Sequence, residues 1–589
     1  MLLRFARDLT PQQIWYLGIG SFPAILFATL YLGQIRMQLY SNNIFDPYYE
    51  VNQSYPVLNT QCTKKYLTYR SIDGRCNNIE VLSMGMCKNR FGRNTNITIK
   101  QVLANSNKIL YPNPIKLNNL MKRKNGKFIE SPNINLLAAA WIQFQTHDWF
   151  LHSTDNNAQP IQVPNLNNKG IYLKIQPTLR DSKGFTYNDA THWWDASMIY
   201  GSNSEQQKKV RTFKNGKLVV NRLDKTTGLP ITAVTNNWWI GLSLMHHLFI
   251  AEHNYLAGTL AKKYPKWNDE DIYQHTRLIL AAILAKIHTV EWTPTILKSP
   301  VLNAGMNINW YGISHVFNYT IEQFKQFGVP DAALPVLAAV QKGVGGARNL
   351  YGRPYAMSEE FVSVYRMHPL LPDQIQIRPI DRKKSQSYDT ISMSKLLFQN
   401  AEIELKNYGI NNWMNTFGYL RAGHLTFNNY PNFLTQVKLP DNKTVNVGVI
   451  DIIRDRERLG LRYNELRRQL KLQPLTSFSD LAVTKQEAQE LKQIYDNNIE
   501  LVDVFVGLMA EANWPAGYGF STTAFYIFII MASRRLETDR FYKEYFNPDI
   551  YTQFGIDYIS KTNFKNILLR HVPCLSNNLR NVTNIFAPW

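Results

Sequence analysis

Gln143 and His147 are the first pair of residues whose types and spacing could perform chemistry. They lie four apart in INLLAAAWIQFQTHDWFLH, whose Ala- and Leu-rich start predicts a helix from Asn133 to Leu151. Side chains four apart share one helix face, so the amide and the imidazole would point the same way. Such a pair could move protons for peroxide cleavage beside a haem. Taken alone, a core histidine bonded to a carbonyl is the simpler interpretation.

Tyr365 and His368 form a second pair, in VYRMH. The sequence EEFVSVYRMHPLL predicts a helix from Glu359 to Leu371, on which residues three apart share a face. A histidine can be an axial ligand of haem iron, and a tyrosine one turn away could reach the edge of the same haem. A buried tyrosine and histidine in a packed core remain the alternative.

A set of oxygen donors suggests a calcium site. Asp148 lies roughly 100° around the helix from the preceding histidine, where a buried acid would need a charged partner or a metal. THWWDAS adds donors at alternate positions, namely Thr191, Trp193 (through its carbonyl), Asp195 and Ser197. Hydroxyl, carboxylate and carbonyl oxygens suit Ca²⁺. The alternative is a turn in which Thr and Ser cap their own backbone.

Three further polar residues lie in apolar segments. His288 and Thr293 lie near the end of a helix predicted from His275 to Trp292, which Pro294 would help to terminate. Arg535 lies far away in sequence on another apolar helix. A buried arginine needs an anion. That anion could be a ligand carboxylate or one of the acids Glu252, Glu291 and Glu537.

The charge balance allows several partners. The 65 Lys and Arg against 44 Asp and Glu give a formal net charge of +21, which suits nucleic acid, an anionic lipid surface or anionic small molecules. No basic run interleaved with aromatic residues marks a nucleic-acid groove, so we expect no nucleic-acid partner. Excess charge that only maintains solubility is an equal alternative.

Four cysteines, Cys62, Cys76, Cys87 and Cys574, are too few for a disulfide scaffold in 589 residues. No CxxC pair indicates zinc. A single bridge among the first three is compatible with an exported protein.

The chain organisation predicts a mainly α-helical enzyme. Long apolar segments, including one from Trp238 to Ala261, favour helix, and the region from Gly305 to Pro354 is expected to be mostly connection. Residues 1–50 form an apolar, aromatic segment and residues 51–589 one catalytic unit. Ile14 to Gly33 carries no charge and could be a signal peptide or anchor, a membrane span or an interfacial segment. We favour membrane association without cleavage, in an intracellular location.

Longer motifs carry a family resemblance. The chain resembles the fatty-acid α-dioxygenases, in the cyclooxygenase and animal-type haem peroxidase superfamily, from about residue 50 to the C-terminus. The shared motifs are WIQFQTHDW, THWWDASMIYGSNS, FIAEHN, LAKIHTVEWT, EEFVSVYRMHPLLPD, RDRERLGLRYNELRR and MASRRLETDRF. The resemblance implies a helical haem peroxidase-like fold with little β structure, non-covalently bound haem b, and Ca²⁺.

The resemblance also implies roles for single residues. His147, with Gln143 beside it, matches the distal haem histidine, and His368 matches the proximal iron ligand. Asn429, in NNYP, matches the asparagine that holds that ligand's other ring nitrogen. Tyr365 matches the tyrosine that becomes a radical.

Two further groups of residues match in the same way. The calcium ligands correspond to Asp148, Thr191, Trp193, Asp195 and Ser197. The residues that bind the substrate carboxylate correspond to His288, Thr293 and Arg535, with Arg534 as the alternative if the register shifts by one.

Departures from related peroxidases narrow the function. Thr146 stands where peroxidases with covalent haem have an acid, and TNNWWIGLSLMHH lacks their distal Arg and ester-forming Glu. These differences argue against a halide-oxidising peroxidase. The N-terminal half also lacks the cysteine-rich module of cyclooxygenases.

The resemblance therefore implies haem-dependent α-oxygenation of fatty acids by O₂. Peroxide would activate the enzyme, a tyrosyl radical would form, and the product would be a 2-hydroperoxy fatty acid that can decarboxylate to an aldehyde one carbon shorter. Two alternatives stay open. One is a peroxidase of small reductants, and the other is a membrane-bound structural or adhesive protein with a degenerate peroxidase fold.

Overall fold

The fold is mainly α-helical, as the sequence predicts. The computed structural model describes residues 22–58, 62–165, 170–220, 222–318, 321–326, 341–350, 355–380, 388–482, 484–512 and 514–589.

The first half of the described chain contains thirteen α-helices. They are α1 Phe22–Asn42, α2 Lys64–Thr68, α3 Ile99–Ala104, α4 Pro114–Met121, α5 Leu136–Trp149, α6 Ser197–Tyr200, α7 Ser204–Val210, α8 Ile240–Lys263, α9 Asp269–Ile287, α10 Thr293–Ile296, α11 Pro300–Tyr311, α12 Ile313–Phe317 and α13 Ile321–Gln326.

The second half continues with shorter helices. They are α14 Glu359–Val364, α15 Gln399–Tyr408, α16 Ile410–Tyr419, α17 Val447–Leu459, α18 Tyr463–Gln469, α19 Phe478–Leu481, α20 Lys485–Ile494, α21 Val504–Ala510, α22 Thr522–Met531, α23 Arg534–Thr538, α24 Pro548–Lys561 and α25 Phe564–His571.

Strands are short and pair only in twos within the described residues. They are β1 Glu130–Asn135, β2 Ile161–Pro164, β3 Tyr172–Ile175, β4 Gln374–Gln376, β5 Thr390–Ser392, β6 Arg421–Gly423, β7 Val437–Lys438 and β8 Thr444–Val445. The antiparallel pairs are β1–β6, β2–β3, β4–β5 and β7–β8. They close loops around the helices and form no central sheet.

The core is built around α5. Asn135 caps its first turn, with its side chain accepting a hydrogen bond from the Ala138 amide. Most of α5 is buried on every side, and it packs against α8, which in turn packs against α9 and α25. Trp141 meets Phe249 and Phe564 at ring-centroid distances of 5.5 Å each. Burying each such ring contributes about 1.5–3 kcal/mol, so α5 is held firmly in place.

Helix boundaries differ from the predicted ones where a local signal overrides the periodicity. The helix predicted from His275 begins at Asp269, because Asn268 and Asp271 form a capping box. The helix predicted from Glu359 to Leu371 ends at Val364, and a 3₁₀ turn follows from His368 to Leu370. Pro369 disfavours helical geometry at the residue before it.

The region from Gly305 to Pro354, expected to be mostly connection, is partly helical. Its described residues include most of α11 and all of α12 and α13, while 319–320, 327–340 and 351–354 lie outside the described residues. Gly312 links α11 and α12 with a positive φ of 87°. Apolar residues on these helices, Ala304, Ile308 and Phe317 among them, form a small core of their own.

The described part of the N-terminal segment packs on the body of the enzyme. Ile25, Leu26 and Leu30 of α1 cover the small core of α11 and α12, and Arg36 forms a buried ion pair with Glu537 at 3.2 Å. Among the described residues, no helix combines the length and apolar character needed to cross a bilayer. Residues 14–21 of the uncharged stretch lie outside the described residues.

Two of the three cysteines between which a bridge is compatible with the sequence are joined. Cys62 and Cys76 form a disulfide across 14 residues. The Cys87 thiol donates to the Asp189 carbonyl at 3.0 Å, and Cys574 is exposed.

Gly460, which separates α17 from α18, generates a stability prediction. Its φ is +67°, and a Cβ there would lie 2.6 Å from the Val102 Cα. We expect Gly460→Ala to lower the free energy of unfolding by about 1–2 kcal/mol, because alanine disfavours the left-handed conformation. The contact between the added Cβ and Val102 should lower it further. The measurement is the thermal unfolding midpoint at one fixed scan rate.

Gly258, within α8, is the matched control. Nothing lies within 4 Å of a Cβ built at this position. Gly258→Ala should therefore stabilise the protein by about 0.5–1 kcal/mol. If the unfolding midpoint of Gly460→Ala equals that of wild type, the left-handed conformation and the close contact at Gly460 do not limit stability.

Candidate active site

A cleft brings the two predicted histidines together. It encloses ≈ 1170 Å³, counting space open to solvent, and both α5 and the segment after α14 line it. From α5 come Gln143, Thr146 and His147, and from the other segment come Tyr365 and His368. Most of the remaining lining is apolar, including Ala139, Ile142, Phe150, Val362, Met367, Leu370 and Leu371.

His147 is a neutral imidazole at physiological pH. It is half-buried, and its Nδ1 is enclosed without a hydrogen-bond partner among the described residues. This enclosure lowers the pKa of His147 to about 4, so the ring can accept a proton. Gln143 points into the same cleft and donates from Nε2 to the Asn237 carbonyl at 3.2 Å.

His368 is held by a carboxylate. Its Nδ1 lies 2.7 Å from the Asp451 Oδ2 of α17, and Asp451 also accepts from the Tyr430 hydroxyl at 2.9 Å and pairs with Arg366 at 3.1 Å. Although burial alone would raise the pKa of Asp451, His368 and Arg366 hold it below its ordinary value. An ionised acid keeps the proton on Nδ1, which leaves the Nε2 lone pair for a metal.

The prediction for Asn429 is wrong. Its Oδ1 accepts from the Arg123 Nε and the Ile129 amide, both at 3.0 Å, and its Nδ2 donates to the Ile129 and His424 carbonyls. All of its hydrogen-bonding capacity is therefore spent away from His368. Asp451 occupies the role instead. A sequence signal for Asp451 does exist. Asp451 lies four residues before Asp455, so the two acids share one helix face, and Asp455 pairs with Arg366 near His368.

Tyr365 lies at the end of α14 rather than within it. With φ −90° and ψ 14°, it does not share a helix face with His368 as predicted, although both residues line the cleft. Its hydroxyl is buried without a hydrogen-bond partner among the described residues. Burial raises the pKa of Tyr365 above its ordinary value, so the phenol keeps its proton.

Arg535 is a buried cation that forms no ion pair with the described residues. The side chain is 1% exposed, and none of its three guanidinium nitrogens has a hydrogen-bond partner among the described residues. Its guanidinium carbon lies 3.8 Å from the ring centroid of Trp149 and 4.1 Å from that of Trp194. Cation–π contact with two indoles offsets part of the cost of burial.

The acids considered as partners for Arg535 are engaged elsewhere. Glu252 pairs with Arg570 at 2.7 Å, the Glu291 carboxylate accepts from the Phe564 amide, and Glu537 pairs with Arg36. The neighbouring Arg534 donates to the Leu350 carbonyl at 3.2 Å. Of these two arginines, Arg535 is therefore the one that lies against the indole rings.

His288 meets the same two rings. Its centroid lies 5.0 Å from Trp149 and 5.3 Å from Trp194. The Trp141 indole donates to Nδ1 at 3.2 Å, so the proton of a neutral ring lies on Nε2, which is buried without a partner among the described residues. Burial, reinforced by the charge of Arg535, lowers the pKa of His288 well below its ordinary value. His288 is therefore a neutral hydrogen-bond donor.

A π-helical turn places Thr293 beside His288. Residues His288–Trp292 form this turn, and the helix continues into α10 instead of terminating near Pro294 as predicted. Residues five apart face the same way across a π turn, and the Thr293 hydroxyl donates to the His288 carbonyl at 2.9 Å. Proline lacks the amide that an α-helical bond would need here. Periodicity in the sequence does not reveal such a turn.

The predicted calcium donors converge behind α5. The Asp148 Oδ1 accepts from the Ser197 hydroxyl at 2.8 Å, and the Asp195 Oδ2 pairs with Arg277 at 3.0 Å. Three buried oxygens, Asp148 Oδ2, Asp195 Oδ1 and Thr191 Oγ1, have no hydrogen-bond partner among the described residues. Burial, followed by the charge of Asp195, raises the pKa of Asp148 to about 8. Two buried carboxylates with the Thr191 hydroxyl beside them are ligands that a hard cation such as Ca²⁺ prefers.

Trp193 and Ser197 have narrower roles than the other calcium donors. The Trp193 indole donates to the Gly74 carbonyl at 2.9 Å, so the residue could reach a cation only through its own carbonyl. The Ser197 hydroxyl is already bonded to Asp148 and would bind a cation only through a remaining lone pair.

Comparison with known proteins places the chain in a family. Residues 69–583 match the family model described as animal haem peroxidase. Alpha-dioxygenase 1 of Arabidopsis thaliana is 36% identical over 88% of this chain and 83% of its own length. Alpha-dioxygenase PIOX of Pisum sativum is 34% identical over 97% and 90%. The chain belongs to the alpha-dioxygenases of the animal haem peroxidase family.

A solved alpha-dioxygenase has the same overall fold. The Oryza sativa fatty acid alpha-dioxygenase, crystallised as a tyrosine-to-phenylalanine variant with palmitic acid, superposes with a TM-score of 0.85 at 29% identity. The match covers 100% of this chain and 98% of that one. The predicted fold and family are confirmed, and haem is the cofactor of the family.

The cleft between α5 and the segment after α14 in the present chain fits a haem. Its apolar lining suits a porphyrin ring, and His368 presents an uncommitted ring nitrogen for iron. Trp149 is, like Asp451, a residue of the site that was not predicted from the sequence. Its ring contacts Arg535, His288 and Tyr365, the last with a centroid distance of 5.1 Å.

Proposed function

We propose that this alpha-dioxygenase oxygenates the α-carbon of fatty acids, with Arg535 and His288 binding the carboxylate and Tyr365 abstracting the hydrogen atom. The observation that carries the proposal is the fully buried guanidinium of Arg535, which has no anion among the described residues. Alpha-dioxygenase relatives, one of them crystallised with palmitic acid, support the choice of a fatty acid.

The electrostatics of Arg535 call for a ligand with a carboxylate. Burying an unpaired charge costs several kcal/mol, and a desolvated cation–π contact recovers only about 2 kcal/mol of that cost. A carboxylate would accept hydrogen bonds from Arg535 and from the His288 Nε2–H. Charge-assisted bonds of this kind contribute about 1.5–3 kcal/mol each. Thr293 supports the clamp by fixing the turn that carries His288.

Trp149 explains why oxidation would occur at the α-carbon. One indole contacts both the carboxylate clamp and Tyr365. A carboxylate bound against Arg535 therefore brings its adjacent carbon towards the Tyr365 hydroxyl. The many CH₂ groups of a fatty acid have similar C–H bonds, so this proximity, rather than intrinsic reactivity, would select the site.

The cleft residues would prepare Tyr365 for this step. His368 would hold haem iron through Nε2, and bound haem supplies peroxide cleavage and one-electron oxidation. Neutral His147, with Gln143 beside it, would take a proton from the peroxide and return it to the leaving oxygen. Tyr365, with its hydroxyl unpaired, would then carry the radical.

Tyr365 would give up and regain one hydrogen atom in each reaction cycle. The phenoxyl oxygen takes one hydrogen atom from the α-carbon, and O₂ adds to the carbon radical. The resulting peroxyl group takes a hydrogen atom back from Tyr365, which yields a 2-hydroperoxy acid and restores the radical. This acid can lose CO₂ and water to give an aldehyde one carbon shorter.

Calcium would stabilise the helix that carries His147. Asp148 is the next residue along α5; the charge of Asp195 is close enough to raise the pKa of Asp148, and the Thr191 side chain lies beside Asp195. A Ca²⁺ ion bound there would link α5 to the segment from Thr191 to Ser197. It would also let both buried carboxylates ionise.

Tyr365→Phe tests the radical role. The change removes one oxygen atom and keeps the ring packing, so haem should load normally. Because phenylalanine cannot form a phenoxyl radical, O₂ consumption with palmitate should fall by about 100-fold or more. Peroxide-driven oxidation of a phenolic dye should persist. Retained oxygenation would refute the mechanism. Strong dye oxidation by wild type without oxygenation would favour a peroxidase of small reductants.

Arg535→Leu tests the carboxylate clamp. Loss of one charge-assisted bond should raise the KM for palmitate about 10- to 100-fold, while dye oxidation survives. Methyl palmitate is the matched ligand, because it lacks the charge. Wild type and variant should handle the ester equally poorly. If palmitate retains its affinity in Arg535→Leu, the clamp lies elsewhere, with Arg534 the first residue to examine.

Asp148→Asn tests the calcium site. Removing one of two carboxylates should lower the bound calcium measured by elemental analysis and loosen α5. The control is Asp224→Asn, which alters a fully exposed acid in a turn. Wild-type calcium content in Asp148→Asn, with Asp224→Asn also unchanged, would rule out Asp148 as a ligand.

A further inference from the structure

One part of the haem cleft is rich in cations. Arg458, Arg366 and His152 all line it, and the charges of both arginines lower the pKa of His152 after the larger effect of burial. Acids lie nearby but are engaged. Glu359 pairs with His152 at 3.1 Å, and Glu457 pairs with Arg454 at 2.7 Å. Arg458 therefore lies near Glu359 but forms no ion pair with any of the described residues.

Arg458 differs from its neighbours on α17. Its Nε donates to the Thr178 hydroxyl at 3.0 Å, and this is the one hydrogen bond that its guanidinium makes with the described residues. By contrast, Arg456 makes two bonds to Asp503, and Arg454 reaches Glu457 and the Gln176 carbonyl. Since Arg458 is 8% exposed and lines the cleft, its free nitrogens face the cleft interior.

The helical register ties Arg458 to the iron ligand. Asp451, Asp455 and Arg458 are spaced by four and three residues, so they lie on one face of α17. Asp451 holds His368, and Asp455 holds Arg366 at 2.7 Å. Arg458 then follows about 10 Å along the helix axis from Asp451. One helix face therefore presents the support of the iron ligand at one end and a buried cation at the other.

A haem has charge at one edge only. Its ring is apolar, and both propionate carboxylates leave the same edge, well away from the iron. We propose that Arg458 binds a haem propionate through its two terminal nitrogens, and that the uncommitted Nη2 of Arg366 serves the same edge. This proposal rests on the haem being held in the cleft by His368. It assigns the orientation of the cofactor, with the propionates towards Arg458.

The environment of Arg458 is consistent with a missing anion. Burial lowers the pKa of Arg458 to about 9; the charge of Glu359 opposes this effect, the charges of Arg454 and Arg366 add to it, and that of Glu457 again opposes it. A propionate carboxylate next to the guanidinium would stabilise its charged form and raise this pKa again. The porphyrin ring would then lie along the apolar lining that includes Met367, Leu370 and Leu371.

The test compares two forms of the cofactor. Apo-protein is titrated with haem b and with haem dimethyl ester, whose propionates carry no charge, and Kd is read from the Soret absorbance. Wild type should bind haem b about ten-fold or more tighter than the ester. Arg458→Met should lose that preference, with weaker haem b binding and unchanged ester binding. Arg580→Met, which alters an exposed arginine outside the cleft, should retain the wild-type preference.

Each other outcome has one meaning. Equal weakening of haem b and ester in Arg458→Met would show a structural role and overturn the proposal. Unchanged binding of both, with a raised KM for a hydroperoxide that carries a carboxylate, would assign Arg458 to the peroxide instead. His368→Ala should lose affinity for both cofactor forms. If it retains both, the iron ligand is wrong and the proposed function fails independently of Arg458.

Discussion

The buried charge of Arg535, which forms no ion pair with the described residues, is the constraint around which the proposed oxygenation site is arranged. Two indoles, Trp149 and Trp194, enclose the guanidinium and exclude water, so its charge is not dissipated by solvent. In such surroundings an ion pair is far stronger than at a surface. His288 and Tyr365, near the same indoles, are neutral, and the His288 Nε2 and the Tyr365 hydroxyl have no hydrogen-bond partner in the described part of the chain. A ligand that supplies the missing anion is thereby oriented as well as bound.

The last turn of α5 serves three sites with three consecutive residues. His147 lines the cleft, Asp148 points to the buried oxygen donors, and Trp149 lies against Arg535. Successive helical residues diverge by roughly 100°, so one rigid turn can reach three different neighbours. Because the rest of α5 is buried and the three residues are consecutive, we expect a change at one of these sites to affect the other two. This coupling explains why a cation behind the helix would matter to chemistry in front of it.

The side of the cleft that carries His368 is organised by α17 in a comparable way. Asp451 and Asp455 hold His368 and Arg366 from one helix face, in a segment where α14 has already ended. The irregular backbone from Tyr365 to Leu370 would otherwise have little to fix it. These two carboxylates on a regular helix provide the fixed frame. Positioning thus comes from α17, while the chemical groups come from the irregular segment.

The sequence alone determined the fold class, the family and most of the residues that the site brings together. Helical periodicity located α5 and α8 to within a few residues, and long motifs carried His147, Tyr365, His368 and Arg535. Residue spacing does not reveal contacts between distant segments. It therefore did not show that Asp451, rather than Asn429, holds His368, or that Trp149 joins the clamp to Tyr365. Nor did it reveal the π turn at His288. Such a turn has one residue more than an α-helical turn, and it forms here because of tertiary packing and because Pro294 has no backbone amide to donate. Whether Arg535 is paired or free is also a tertiary matter, because it depends on which acids other helices have already engaged.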